Sequence, residues 1–167
     1  MNSNAEQICD ICEILPTVPK SLVIDENELW SVNLGAQDQS CLARTYITLK
    51  RHAFELDELT DQEETIFRTM RNGLIRAIRT QFGPITFNIS CLKNDAFRHN
   101  PDATPASAAH VHWHVIPRYG TTPVSYAGET FIDPSPGRYL PPSRERKSVS
   151  EDVANKIASA IRTSYFV

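Results

Sequence analysis

The sequence lacks the features that mark exported, membrane-bound or nucleic-acid-binding proteins. It has no basic segment followed by an apolar run near its start, and no stretch approaches membrane-spanning length. Its net charge of −3 gives no electrostatic reason to expect a nucleic-acid polymer or an anionic membrane as a partner. We therefore expect a soluble, cytoplasmic protein whose partners are neither membranes nor nucleic acids.

The chain also lacks internal repeats and any change of composition that would mark a domain boundary. Its 167 residues are enough for one complete hydrophobic core and few for two. We expect a single domain over residues 1–167, in which residues 121–167 form a C-terminal extension that is first proline-rich and then helical.

Cysteine is scarce, with four residues in the chain. In a protein without an export signal, they are expected to be thiols or metal ligands and not disulfides. Cys9 and Cys12 form a C-x-x-C pair, a spacing that lets two thiolates point at one ion. The pair alone also fits a redox couple or two unremarkable cysteines. Cys41 and Cys91 stand alone in strand-like stretches and are expected to be small buried hydrophobes.

The most informative segment is HVHWHVIPR, residues 110–118. Its histidines, His110, His112 and His114, alternate with apolar residues, and a spacing of two places all three on one face of a β-strand. The apolar residues between them then face the core, and Pro117 is expected to end the ladder. A strand that merely happens to be rich in histidine is the weaker interpretation, because three of the five histidines fall in this segment.

The rest of the chain predicts an α+β domain with a mainly antiparallel sheet. Thr60 and Glu63 form a capping box at the start of a long amphipathic helix that Gly83 and Pro84 end, and Ser150 begins a last helix. Alternating or β-branched runs predict the remaining strands at Leu22–Ile24, Leu29–Leu34, Arg44–Leu49, Ile85–Leu92 and Glu129–Ile132.

Residues 110–118 resemble the signature of the histidine triad (HIT) family, His-x-His-x-His with an apolar residue at each x. The C-x-x-C pair, a basic dipeptide followed by His52, the long helix and the triad occur in the family's order. The resemblance implies a five-stranded sheet with one long and one C-terminal helix. His114 is typical of the hydrolase branches, whereas the uridylyltransferase-like branch has Gln there. Residues 119–139 resemble a subgroup described as diadenosine tetraphosphate hydrolase-like.

The resemblance implies a structural zinc ion, because many relatives bind zinc through the corresponding positions. Transferred to this chain, the ligands are Cys9, Cys12, His52 and His110. Two thiolates and two imidazoles make a closed tetrahedral site, which stabilises the fold and leaves no open coordination position for catalysis. His99, in the loop between the predicted strand Ile85–Leu92 and the histidine segment, is the competing ligand.

The resemblance also implies the chemistry of the other two triad histidines. His112 corresponds to the nucleophile, which attacks an α-phosphorus and forms a covalent nucleotidyl-histidine that water then hydrolyses. His114 lies on the same face and can donate to the non-bridging phosphate oxygens. The implied enzyme cleaves adenine nucleotides, either dinucleoside polyphosphates or nucleoside phosphoramidates, at the α-phosphate.

Substrate-binding residues are assigned by the same resemblance. Asn33 corresponds to the residue that binds the ribose hydroxyls, and Asn94 to an amide near the phosphates, although Asn88 competes with Asn94. Ser107 corresponds to a contact with the phosphate or leaving group, and a solvent-facing loop hydroxyl is an equal alternative. Lys93 and Arg118 are further candidate phosphate neighbours.

One departure leaves the leaving group open: Pro105 and Ala106 stand where common relatives have a Gly-Gln pair. Two other functions compete with the hydrolase. One is a non-catalytic, zinc-stabilised nucleotide-binding or interaction module, and the other is a metal-dependent hydrolase whose catalytic metal is bound by the three triad histidines. Many relatives are homodimers, but the sequence has no exposed apolar stripe that would establish a dimer here.

Overall fold

The computed structural model describes residues 9–93, 109–141 and 144–165. The helices are α1 (Asp10–Ile14), α2 (Asp61–Phe82) and α3 (Glu151–Tyr165), and short 3-10 helices occupy Leu15–Thr17, Lys20–Leu22 and Leu56–Glu58. The strands are β1 (Val23–Glu26), β2 (Trp30–Leu34), β3 (Thr45–Leu49), β4 (Thr86–Ser90), β5 (His112–Arg118), β6 (Val124–Tyr126) and β7 (Glu129–Phe131). Within the described residues, no helix has the length and apolar character needed to cross a membrane.

The first five strands form one antiparallel sheet in the order β1-β2-β3-β5-β4. This arrangement, with the long α2 and the C-terminal α3, confirms the predicted α+β fold and its five-stranded sheet. Strands β6 and β7 form a separate hairpin. The sequence predicted only the second strand of that hairpin, since the first is too short for an alternating pattern to mark it and directly follows Pro123.

The ends of α2 are as predicted. The Thr60 hydroxyl accepts a hydrogen bond from the Glu63 backbone N–H, and the Glu63 carboxylate accepts one from the Thr60 N–H. Gly83 ends the helix in the left-handed conformation at φ 61°. A residue without a side chain is favoured there because a Cβ makes this conformation costly.

The two faces of the sheet differ in what covers them. Helices α2 and α3 cover one face, where Val111 and Val115 are fully buried and the Trp113 ring stacks on Phe67 of α2 with centroids 4.9 Å apart. The apolar residues between the histidines therefore face the core, as predicted. The histidine side chains lie on the opposite face.

Two local predictions are wrong. Pro117 does not end the strand, since β5 continues to Arg118 and Pro117 pairs with Phe87 of β4. Strand β5 pairs with β3 only as far as Val115. Pro117 therefore lies beyond the part of β5 that would donate a backbone N–H to β3. Cys41 is buried, as expected, but it lies in the loop between β2 and β3 and not in a strand.

The buried carboxylate of Glu63 provides a test of how α2 is attached. Both of its oxygens accept hydrogen bonds from Arg51, at 2.6 and 2.8 Å, and this pairing lowers the pKa of Glu63 to about 2. A carboxyl group whose pKa is lowered by folding stabilises the native state above its ordinary pKa of 4.5. That stabilisation is lost as the pH falls from 4.5 towards 2.

We predict that Glu63→Gln lowers the free energy of unfolding by about 1–3 kcal/mol at pH 7. The difference from wild type should shrink as the pH falls below 4.5, because the Glu63 carboxyl group of the unfolded wild-type chain then becomes protonated while that of the native state stays ionised down to about pH 2. Urea denaturation at a series of pH values measures both effects. The control is Glu64→Gln, an exposed acid one residue later. Equal losses in both variants, or a difference that does not depend on pH, would contradict the prediction.

Candidate functional site

A cavity of about 600 Å³ lies on the histidine face of the sheet. The strand register aligns side chains from β2, β3 and β5 in two rows, Ser31–Thr48–His112 and Asn33–Tyr46–His114. Alternate residues of a strand share one face, so both rows point the same way. The cavity is lined by members of both rows together with residues from elsewhere in the chain.

The cavity has an apolar and a polar part. Most of the apolar lining comes from α1 and the 3-10 turns after it, namely Ile11, Ile14, Leu15, Val18, Pro19 and Leu22. Leu34, Ala36 and Ala109 add to it. The polar lining includes Lys93, His112, His114 and Arg146. An apolar wall beside convergent imidazoles and cations suits a ligand with one aromatic or apolar part and one anionic part.

The His110 ring is held between a backbone carbonyl and two thiols. Its Nε2 lies 2.8 Å from the carbonyl oxygen of Leu49, and a carbonyl only accepts, so Nε2 carries the proton. The other ring nitrogen, Nδ1, therefore presents its lone pair to the Sγ atoms of Cys9 and Cys12, at 3.3 and 3.4 Å. On the far side of Cys12, the Nδ1 atom of His52 lies 3.6 Å from Sγ.

These four side chains fit a tetrahedral zinc ion. All four candidate ligand atoms lie within 4.8 Å of one another. In a tetrahedral site with zinc–sulfur and zinc–nitrogen bonds of about 2.3 and 2.0 Å, a sulfur and a nitrogen ligand lie about 3.5 Å apart. The observed separations of 3.3, 3.4 and 3.6 Å match that value.

The protonation chemistry of the cluster points the same way. Burial and the neighbouring Cys9 thiol raise the pKa of Cys12 to about 11, and burial lowers the pKa of His110. Without a cation, the Cys12 thiol and the His110 imidazole are thus neutral. A divalent ion placed between them would displace the thiol protons and use the imidazole lone pairs as they stand.

The His112 ring is oriented by the backbone. Its Nδ1 lies 2.8 Å from the carbonyl oxygen of His110 and must donate to it. In the neutral ring the other nitrogen, Nε2, then carries a lone pair and no proton. That is the tautomer a nucleophilic imidazole needs. The arrangement does not favour a catalytic metal on the three histidines, because His110 turns its lone pair to the thiols instead.

The His114 ring has the opposite tautomer. The Arg44 Nη2 atom lies 3.2 Å from His114 Nδ1, and a guanidinium group can only donate. Nδ1 therefore accepts, and the proton of the neutral ring is on Nε2. The two rings lie with their centroids 5.0 Å apart. One presents a lone pair and its neighbour presents a hydrogen-bond donor.

Comparison with known proteins gives one curated relative and many similar structures. No family model matches the chain. A protein of Bacillus subtilis (strain 168) named "Protein hit" is 29% identical over 114 residues, which cover 67% of this chain and 72% of that protein.

Three solved structures illustrate the similarity of the backbone. A hypothetical histidine triad nucleotide-binding protein from Sulfolobus tokodaii has a TM-score of 0.62 at 16% identity, over 95% of this chain and 92% of its own. The chain has the histidine triad fold. A zinc-bound histidine triad family protein from Mycobacterium smegmatis has a TM-score of 0.58 at 17% identity, over 95% and 93%. The diadenosine triphosphate hydrolase of Plasmodium falciparum has a TM-score of 0.56 at 13% identity, over 87% and 77%.

Within this histidine triad fold, Asn33 lies in the cavity wall. It is 5% exposed, and its side-chain oxygen accepts a hydrogen bond from the Ser31 hydroxyl at 3.2 Å. Asn88, the alternative to Asn94, is exposed on the edge strand β4. Asn94 and Ser107 lie outside the described residues, as does the competing metal ligand His99.

Of the two candidate phosphate neighbours, Lys93 and Arg118, the structure places only Lys93 at the cavity. Lys93 lines the cavity, with its amine 2.5 Å from the Glu55 carboxylate. Arg118 does not reach it, and the prediction for this residue is wrong. Its side chain is buried against Asp133 at 2.7 Å and also donates to the backbone carbonyl groups of Ser135 and Arg138. Arg118 therefore anchors the segment after β7.

Sequence reasoning missed the group that holds Arg44. Asp38 accepts from both Arg44 and Arg144, and the three side chains are at most 10% exposed. Asp38 stands in a polar stretch of the sequence, residues 35–40, but its partner Arg144 is 106 residues away. This polar stretch, with Arg44 four residues after its end, was the available signal.

Proposed function

We propose that the chain is a member of the histidine triad family and acts as a nucleotide hydrolase or nucleotidyl transferase. It cleaves at the α-phosphate of adenine nucleotides, either dinucleoside polyphosphates or nucleoside phosphoramidates. The observation that carries the proposal is the pair of neighbouring histidines with opposite tautomers on the cavity wall, His112 with an unprotonated Nε2 and His114 with a protonated Nε2. The fold that the chain has in common with a diadenosine triphosphate hydrolase supports it.

The reaction has two displacement steps at phosphorus. The Nε2 atom of His112 attacks the α-phosphorus, a phosphorus–nitrogen bond forms, and the bond to the leaving group breaks with its electron pair remaining on that group. A water molecule then attacks the same phosphorus, releases a proton, and breaks the phosphorus–nitrogen bond. The nucleotide leaves as its monophosphate and the imidazole is restored.

The neighbouring groups stabilise the charges that develop in these steps. The carbonyl oxygen of His110 accepts the Nδ1 proton of His112, and this contact strengthens as the ring gains positive charge. The Nε2 proton of His114 can bind a non-bridging phosphate oxygen. Asn33 is placed in the cavity wall to bind ribose hydroxyls, and Asn94 and Ser107 remain candidates for phosphate contacts.

Zinc has a structural role in this proposal. Cys9, Cys12, His52 and His110 would hold the ion, which supplies a cross-link between the N-terminal segment and the sheet. The zinc site affects the proposed nucleophile indirectly, through His110. The His110 ring belongs to the metal cluster, and the His110 carbonyl oxygen accepts the Nδ1 proton of His112, so the cross-link fixes the residue that orients the His112 ring.

We predict that His112→Ala abolishes turnover, with a loss of more than about 10³-fold, because no other group supplies the attacking lone pair. Adenosine monophosphate should still bind within about threefold of the wild-type affinity. Rapid quenching and intact-mass spectrometry after exposure to an adenosine phosphoramidate and to diadenosine tetraphosphate should show a nucleotidyl adduct in wild type alone.

Turnover by His112→Ala within tenfold of wild type would overturn the covalent mechanism. If the wild-type protein binds adenosine monophosphate but forms neither adduct nor product from both compounds, the chain is a nucleotide-binding module and not an enzyme.

We predict one zinc ion per chain, measured by elemental analysis of the purified protein. His52→Ala should lower the zinc content and the melting temperature, because three ligands remain. The matched control is His99→Ala, which removes the competing histidine and should change neither quantity. Zinc retained in His52→Ala and lost in His99→Ala would contradict the assignment.

A further inference from the structure

The first part of the C-terminal extension is fixed beside the polar loop between β2 and β3. The Gln39 backbone N–H donates to the Lys147 carbonyl oxygen at 2.7 Å, and the Lys147 N–H donates to the Ser40 hydroxyl at 3.1 Å. One residue earlier, the exposed side chain of Arg146 lines the same cavity as His114. The extension therefore contributes a cation to the candidate site.

Arg146 lines the same cavity as Asp38, which belongs to a buried group with an excess of positive charge. Asp38 carries one negative charge and accepts from both Arg44 and Arg144. Among the residues that the structure describes, the buried Nε atoms of those two arginines have no hydrogen-bond partner. Because charges interact more strongly in a poorly hydrated environment, an anion next to this cluster is stabilised.

The position of the cluster relative to the triad sets a direction along the cavity. The apolar residues of α1 lie at the His110 side, where Cys9 and Cys12 contact that ring. The arginines lie at the His114 side, because Arg44 donates to His114 and to Asp38. A nucleotide with its α-phosphate at His112 therefore has the apolar residues of α1 towards His110 and the positively charged arginines towards His114.

We infer that Arg146, supported by the Arg44–Asp38–Arg144 cluster, forms a second anion subsite that binds the phosphate chain of the leaving group. The inference rests on the proposed function and narrows it to nucleotides whose leaving group is a polyanion, such as dinucleoside polyphosphates, in preference to phosphoramidates. As the bond between the α-phosphorus and the bridging oxygen breaks, the electron pair stays on that oxygen. Nearby guanidinium groups stabilise the added charge.

The test compares binding of adenosine monophosphate with that of α,β-methylene adenosine triphosphate, which cannot be cleaved at the α-phosphorus. Isothermal titration of the wild-type protein at fixed ionic strength should show the triphosphate analogue binding about tenfold more tightly or better. In Arg146→Ala the ratio of the two dissociation constants should fall about tenfold, and Arg146→Lys should restore part of it. The matched control is Arg76→Ala, an exposed arginine on α2, across the sheet, which should leave the ratio unchanged.

The outcomes separate the inference from the function on which it rests. If the wild-type protein binds both compounds equally, the second subsite is wrong while the proposed function stands. An equal fall of the ratio in Arg76→Ala also overturns the subsite, because it shows a general effect of net charge. If adenosine monophosphate does not bind at all, both the subsite and the proposed function are wrong.

Discussion

The hydrogen bond from His112 Nδ1 to the His110 carbonyl oxygen, at 2.8 Å, is the contact on which the candidate site depends. It sets the tautomer of the proposed nucleophile without using another side chain. It also makes His110 serve two purposes, since the ring of His110 faces the thiols while its backbone orients the next histidine. A change that moved His110 would disturb the candidate metal site and the proposed nucleophile together.

The opposite tautomer of His114 has a different origin. It depends on Arg44, which is itself held by Asp38 and through it by Arg144 of the C-terminal extension. The extension is thus connected to the candidate site through a chain of buried charges. Such groups are costly to leave unpaired, so the cluster holds its geometry firmly. The strand supplies both histidines at a spacing of two residues, and their surroundings make them chemically different.

Much of the site could be predicted because its elements depend on local sequence. The alternation of histidines with apolar residues predicted which face each side chain occupies, and Thr60, Glu63 and Gly83 predicted the ends of α2. The metal cluster could be assembled only through resemblance, since its members come from three distant segments. The Arg44–Asp38–Arg144 cluster could not be predicted, because no local pattern links an aspartate in one loop to an arginine 106 residues later. Arg118 was wrongly predicted to lie near the phosphates for the same reason. Its partner Asp133 lies in an irregular segment, and no local pattern links the two residues.

The most direct test of the two tautomers is nitrogen NMR of the protein labelled with ¹⁵N-histidine, recorded above about pH 8 so that the rings are neutral. Resonances are assigned by their loss in His112→Ala and His114→Ala. The structure predicts that His112 has a protonated Nδ1 and an unprotonated Nε2, while His114 has an unprotonated Nδ1 and a protonated Nε2. A protonated Nε2 on His112 would contradict its role as the nucleophile.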